Sequence, residues 1–201
     1  MARQRLRIKK KNPLIVICSE GGKKSSEYYY FSNFASRELR IQFSTGNSTD
    51  PLGMLNDLQN YIKNEDIESE DEYKIFMVLD TDLSKDRIDK IKKVMQQCKK
   101  DGIEVVISSP TFEIWYLMHF LENGLIFKSS KEVKKEVKKH IPNYIESMNV
   151  YNKIKDKLDF AIDTAKKYEQ QAKRNQIDLF DCNPYTSIYK IIDSIRNMRR
   201  K

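Results

Sequence analysis

Three apolar runs constrain this chain more than any other feature: "PLIVIC" from residue 13, "KIFMVL" from residue 74 and "GIEVVIS" from residue 102. Each is short, rich in β-branched residues and almost free of polar alternation, the pattern of a strand covered on both faces. A fourth stretch, "RIQFST" from residue 40, reads as a shorter strand. Between the runs lie segments of helical period. "EYYYFSNFASREL" carries Tyr28, Phe31, Phe34, Ala35 and Leu39 on one face. Asp50-Pro51 opens a second helix with Leu52, Leu55, Leu58 and Ile62 inward, and a third runs from Ser84 to about Lys100 with Ile88, Ile91, Met95 and Cys98 inward. Buried strands joined by connections this long predict a parallel or mostly parallel four-stranded sheet flanked by helices. After residue 110 only helices are expected, near 129–140, 147–174 and 184–199, the last with Asn183 as cap and Pro184 at its first position.

The expected organisation is a basic arm over 1–12, an α/β domain over 13–122 and a helical portion over 123–201 packed on that domain. The chain has 201 residues and a formal charge of +8, of which Arg3, Arg5, Arg7, Lys9, Lys10 and Lys11 hold six, unopposed by acid in the first twelve residues. An arm of this kind attracts phosphate backbones, although basic tails also serve as solvating segments. No apolar run approaches the ~20 residues that span a bilayer, and the N-terminus lacks the apolar core of a signal peptide. A cytoplasmic protein without membrane contact is expected. Cys18, Cys98 and Cys182 have neither zinc-site nor disulfide spacing and read as reduced thiols.

The strands end on acid. The first runs into Ser19-Glu20, the third into Asp80-Thr81-Asp82, and the fourth into Ser108-Ser109-Pro110. Ligands gather at the carboxyl edge of a parallel sheet, so if the first and third strands are neighbours, Glu20, Asp80 and Asp82 share a site. Like charges held that close require protons or a hard cation. Mg²⁺, with Mn²⁺ as a substitute, suits oxygen ligands and activates water at a phosphodiester. An isolated Asp-x-Asp also serves as a helix cap, and Glu20 alone also reads as a solvated loop residue.

In combination, "LIVICSEGG", "SEYYYF", "FMVLDTD", "SSPTFEIWYLMHF" and "NPYTSIYKII" make the chain, from about Leu14 to Ile195, resemble the Toprim-like RloB/AbiLii family of phage-defence proteins. The resemblance implies a Toprim-like sheet and a Mg²⁺-dependent nuclease site in which Glu20 serves as general acid or base and Asp80 and Asp82 hold metal. Glu113, in the first turn after the fourth strand, is implied as a further acid of the same site. RNA, transfer RNA included, is the implied target over DNA, with an ATPase of the RloA/AbiLi type as partner, and a homo-oligomer is possible in principle. Two departures stand out. The loop before Ser26-Glu27 is about two residues longer than the family's, leaving open whether Glu20 or Glu27 turns inward, with Glu20 favoured because it directly follows the strand. The family's "SNP" is here "SSP".

Lys23 and Lys24, in a loop of small residues, are candidates for phosphate contact, although the loop is no Walker motif and plain surface lysines are the favoured reading. "KEVKKEVKKH" reads as a solvated helix face, His119 as a core-edge histidine and Trp115 as core. Tyr28, Tyr29 and Tyr30 cannot all be buried on one helix. A phosphatase using Asp80 as nucleophile is disfavoured, because such enzymes carry the motif on their first strand. A latent nucleic-acid-binding subunit that works with the ATPase remains the non-catalytic alternative.

Overall fold

The computed structural model describes residues 11–121 and 125–199. Its strands are β1 (Leu14–Cys18), β2 (Arg40–Phe43), β3 (Tyr73–Asp80), β4 (Ile103–Ser109) and β5 (Tyr185–Thr186), in the order β2-β1-β3-β4-β5. The first four are parallel, and β5 joins β4 antiparallel. The sheet therefore has five strands rather than four. The fifth is two residues long, from a segment where Asn183 and Pro184 predicted a helix start. Asn183 does not cap there; its side chain brackets the backbone of Phe127, and the helix begins only at Tyr189.

The helices are α1 (Ser26–Phe31), α2 (Pro51–Asn64), α3 (Lys85–Lys100), α4 (Ile114–Leu117), α5 (Ser130–His140), α6 (Tyr151–Ile154), α7 (Leu158–Arg174) and α8 (Tyr189–Arg199). Asp50 caps α2, its carboxylate accepting from the Leu52 amide at 3.2 Å, and Pro51 takes the first helical position. The helix expected through Leu39 stops at Phe31 and continues only as a 3₁₀ turn to Phe34. Two residues placed inward by period, Leu52 and Met95, are exposed, and Met54 and Val94 are buried beside them.

Strand alternation divides the interior into two layers. Ile15, Ile17, Phe76, Val78 and Val106 face a core completed by residues of α1, α4, α5, α7 and α8, while Leu14, Val16, Ile75, Met77 and Leu79 face one completed by α2 and α3. This double burial is the reason the runs contain no polar alternation. The residues after 125 share the first core with β1, β3 and β4.

The strand order has a consequence for ligands. From β1 the chain moves outward to β2, then crosses back over β1 to β3 and continues to β4, so its direction reverses between β1 and β3. That reversal opens a crevice at the carboxyl ends of those two strands, the usual ligand position in open α/β sheets. Among the described residues, no helix is long and apolar enough to cross a membrane.

Candidate active site

Three connections close over the crevice. After β1, Glu20 precedes Gly21 and Gly22, which turn the chain sharply. A Cβ on Gly21 would lie 2.4 Å from that of Ser25, and Gly22 has φ +54°. The turn sets Ser25 as the cap of α1, accepting from the Tyr28 amide at 3.2 Å, and brings Ser26 and Glu27 back over the strand ends. After β3, Asp82 and Leu83 both take left-handed backbone, with φ 50° and 56°, before Ser84 caps α3. After β4, the chain passes through Thr111 and Phe112 to Glu113 at the start of α4.

The result is a pocket of about 280 Å³ whose lining includes Glu20, Glu27, Asp80, Thr111, Glu113 and Glu146. Glu113 is 3% exposed and Glu27 is 7% exposed. Glu113 Oε1 accepts from Tyr144 Oη at 2.7 Å and Ser26 Oγ at 3.0 Å. Thr111 Oγ1 lies 2.7 Å from Glu113 Oε2 and 3.0 Å from Asp80 Oδ2. A hydroxyl has a single proton, so Thr111 donates to one of these carboxyls at a time or shares its proton between the two. Asp80 Oδ1 is buried without a well-formed hydrogen bond, although the Phe112 amide lies near enough to the carboxyl to favour its charged form.

Electrostatics follow from that crowding. Burial, then the nearby Glu27 and Glu113, push the Asp80 carboxyl well above the usual carboxylate range. Burial, with Glu113 close by, raises Glu27 to about 7. Both shifts describe carboxyls that gain from a proton or from a cation.

Arg87, on the first turn of α3, contacts two residues of the pocket lining, Glu20 and Asp80. Its Nη2 pairs with Glu20 Oε1, its Nε donates to the Asp80 carbonyl at 2.6 Å, and its Nη1 donates to the Thr49 carbonyl at 3.0 Å. Asp82 Oδ2 lies 3.4 Å from the same Nε, and Ser130 Oγ reaches Asp82 Oδ1 at 3.4 Å.

Of the residues expected at the site, Glu20, Asp80 and Glu113 therefore line one pocket. Asp82 does not. Its left-handed backbone leaves the side chain half-exposed beside Arg87 and Ser130, so the set Glu20, Asp80 and Asp82 does not assemble as three ligands. Glu27, the inward-turning alternative, is the buried one, whereas Glu20 sits at the rim on Arg87. Lys24 lines the pocket; Lys23 is exposed and does not. Arg5, Arg7, Lys9 and Lys10 lie outside the described residues. His119 is fully buried, its Nδ1 2.9 Å from the Trp115 carbonyl, and burial pushes its pKa down to about 4. It belongs to the core. Tyr30 is buried among aromatic rings, while Tyr28 and Tyr29 are half-buried.

Arg87 is the residue sequence reasoning missed, and Glu27 is the one it weighed and ranked below Glu20. A signal existed for Arg87, because a cation in the first turn of a helix opposes the helix dipole and needs a compensating partner. Among the described residues, no group of three or more His, Cys, Asp or Glu side chains forms a ready-made metal site. Mg²⁺ needs less than that: one or two carboxylates, with water and substrate oxygens completing its shell. Asp80 Oδ1, which lacks a well-formed hydrogen bond, and the adjacent Glu27 carboxyl fit that requirement in donor type and charge.

A family model described as RloB-like protein matches residues 15–195, so the chain belongs to the RloB-like family. No curated protein and no solved structure matches the chain.

Proposed function

We propose that this member of the RloB-like family is a divalent-metal-dependent nuclease of Toprim-like type, cleaving phosphodiester bonds of RNA or transfer RNA in preference to DNA. The observation that carries the reading is Asp80 Oδ1, a buried carboxylate oxygen without a well-formed hydrogen bond at the sheet's switch point, crowded by Glu27 and Glu113. Burying a polar atom unpaired costs about 1–3 kcal/mol, and a site that binds a cation recovers it.

Asp80 and Glu27 would hold Mg²⁺ or Mn²⁺, which supplies Lewis acidity and a nucleophilic hydroxide at neutral pH. The remaining work falls to the chain's own groups. Glu113 is fixed by Tyr144, Ser26 and Thr111, so it keeps the Thr111 hydroxyl aimed between itself and Asp80. Glu20, ion-paired at the rim, is placed to accept a proton from an attacking water. Arg87 holds Glu20 against the Asp80 carbonyl and so sets the distance between the rim acid and the pocket floor.

The family resemblance supplies the setting: an effector of phage defence acting with an ATPase of the RloA/AbiLi type. A second reading, a latent subunit that cuts only with that ATPase, is favoured by the Arg87–Glu20 pair, which occupies the rim carboxylate. The deciding experiment incubates labelled RNA, transfer RNA and DNA with Mg²⁺ or Mn²⁺ and either wild type or Asp80→Ala, with and without the ATPase. Wild type should cut at least about 100-fold faster than the variant, a typical loss when charge stabilisation at the reacting centre is removed. Cleavage only with the ATPase present selects the latent reading, and equal cleavage by both chains refutes the nuclease.

A further inference from the structure

The acidic pocket has a basic neighbour. A groove of about 370 Å³ adjoins it, lined by Lys24, Lys134, Lys138, Tyr144, Ile145 and Glu146. Lys24, Lys134 and Glu146 line both spaces, and Tyr144, a wall of the groove, donates through its hydroxyl to Glu113 in the pocket. The two are therefore continuous. Lys134 and Lys138 stand one turn apart on α5, on the same side of the helix. Among the described residues, neither Lys24 nor Lys138 has an ion-pair partner. Lys134 pairs with Glu146 at 2.5 Å, but that carboxylate is 61% exposed. An ion pair so open to water is exchanged for a phosphate at little cost.

We propose that this groove seats the backbone of a single-stranded nucleic acid, with Lys138, Lys134 and Lys24 taking successive phosphates and delivering the next phosphodiester to the acidic pocket. The inference rests on the nuclease reading for its destination, while the groove itself stands on charge and continuity. A polyanion needs cations to approach a pocket lined by Glu20, Glu27 and Glu146, and these lysines stand at its mouth. A single strand is specified because the carboxylates lie in a recess. A flexible strand can turn a phosphate into it, whereas a duplex, stiff over about 150 base pairs, presents only a rigid flank. Ile145, 59% exposed on the groove wall, gives an unstacked base an apolar surface.

The test is binding in EDTA, so that cleavage is not required. Fluorescein-labelled single-stranded RNA and DNA 15-mers, a 15-base-pair duplex and a polyglutamate peptide are titrated by anisotropy across a salt series. The proteins are full-length wild type, Lys134→Gln/Lys138→Gln, and Lys135→Gln/Lys139→Gln, whose lysines share α5 but do not line the groove. For single strands the groove variant should lose about tenfold or more in affinity at 0.1 M salt. Its log–log salt slope should shrink by about 1.4, two contacts at about 0.7 each. The control pair should stay within about twofold of wild type. Absence of wild-type binding, equal losses in both variants, or duplex or polyglutamate binding as tightly as single strands would each overturn the proposal. If the strands bind here but Asp80→Ala changes no cleavage, the nuclease reading fails alone. If Asp80→Ala abolishes cleavage while the groove variant binds like wild type, the groove fails alone.

Discussion

At the scale of single residues, the pocket is organised against its own folding. Glu27 and Asp80 are raised by burial first; Glu113 and Glu146 add to the shift of Glu27, Glu27 and Glu113 add to that of Asp80, and Glu113 is buried within hydrogen-bond reach of Thr111. For Glu27 the sign is fixed by the folded value of about 7 against an ordinary 4.5. The folded protein keeps a proton that the unfolded chain gives up, so the stabilisation is complete below about pH 4.5 and is lost as pH rises to about 7. Glu27→Gln, neutral at every pH, should flatten that decline and, at pH 8 in EDTA, raise stability by on the order of 1–3 kcal/mol. Asp80, shifted in the same direction, keeps part of the slope. Thermal melts between pH 5 and 8 check this, and parallel curves for the two proteins would show that Glu27 does not titrate in this way. Asp80 was legible in the sequence because a buried apolar run stopping at a carboxylate is a local pattern. Glu27 was not, because its burial depends on the Gly21-Gly22 turn folding α1 back over the sheet, and periodicity alone cannot choose between it and Glu20.

At the scale of elements, the late segments are tied by one carboxylate. Glu169, buried on α7, accepts from Tyr185 Oη of β5 at 3.0 Å, from Tyr189 Oη of α8 at 2.5 Å and from Lys173 Nζ at 2.5 Å. Burial works to raise its pKa, but the bonds from Lys173, Tyr189 and Tyr185 outweigh it and hold the group below the usual range. Its contribution has the opposite sign from that of Glu27: present above the unfolded pKa and lost as pH falls through the lower folded value. Glu169→Ala should destabilise by about 2–4 kcal/mol, since it leaves two buried hydroxyls unpaired and a small void. Urea unfolding at pH 7 measures this, and a change under about 0.5 kcal/mol, the range of ordinary surface substitutions, would mean the tie is dispensable. The same region marks where element reading stops. A two-residue strand has no period to detect, and β5 exists only because β4 offers it an edge, with the Ser108 and Thr186 hydroxyls 2.9 Å apart across the pair. The long strands needed no such help, because burial from both layers is written into every position of "LIVIC".

At the scale of the whole molecule, the pocket draws on the ends of β1, β3 and β4, the inner strands of the sheet, and each of these contributes to both cores. A ligand that joins Asp80 to Glu27 therefore binds a place that exists only while the sheet is intact, and its binding energy adds to global stability. The proposed ion competes with protons for the same oxygens, so its effect should grow as pH rises past about 7, where Glu27 ionises. At a Mg²⁺ or Mn²⁺ concentration ten times its dissociation constant the gain is about 1.4 kcal/mol, which for a domain of this size is about 3–6 °C in melting temperature. Melts with and without the ion should show that rise at pH 8, little of it at pH 5.5, and none in Asp80→Asn, which keeps the shape of the side chain but not its charge. A rise equal in Asp80→Asn would place the ion away from the switch point and separate any metal requirement from the crowded carboxyls.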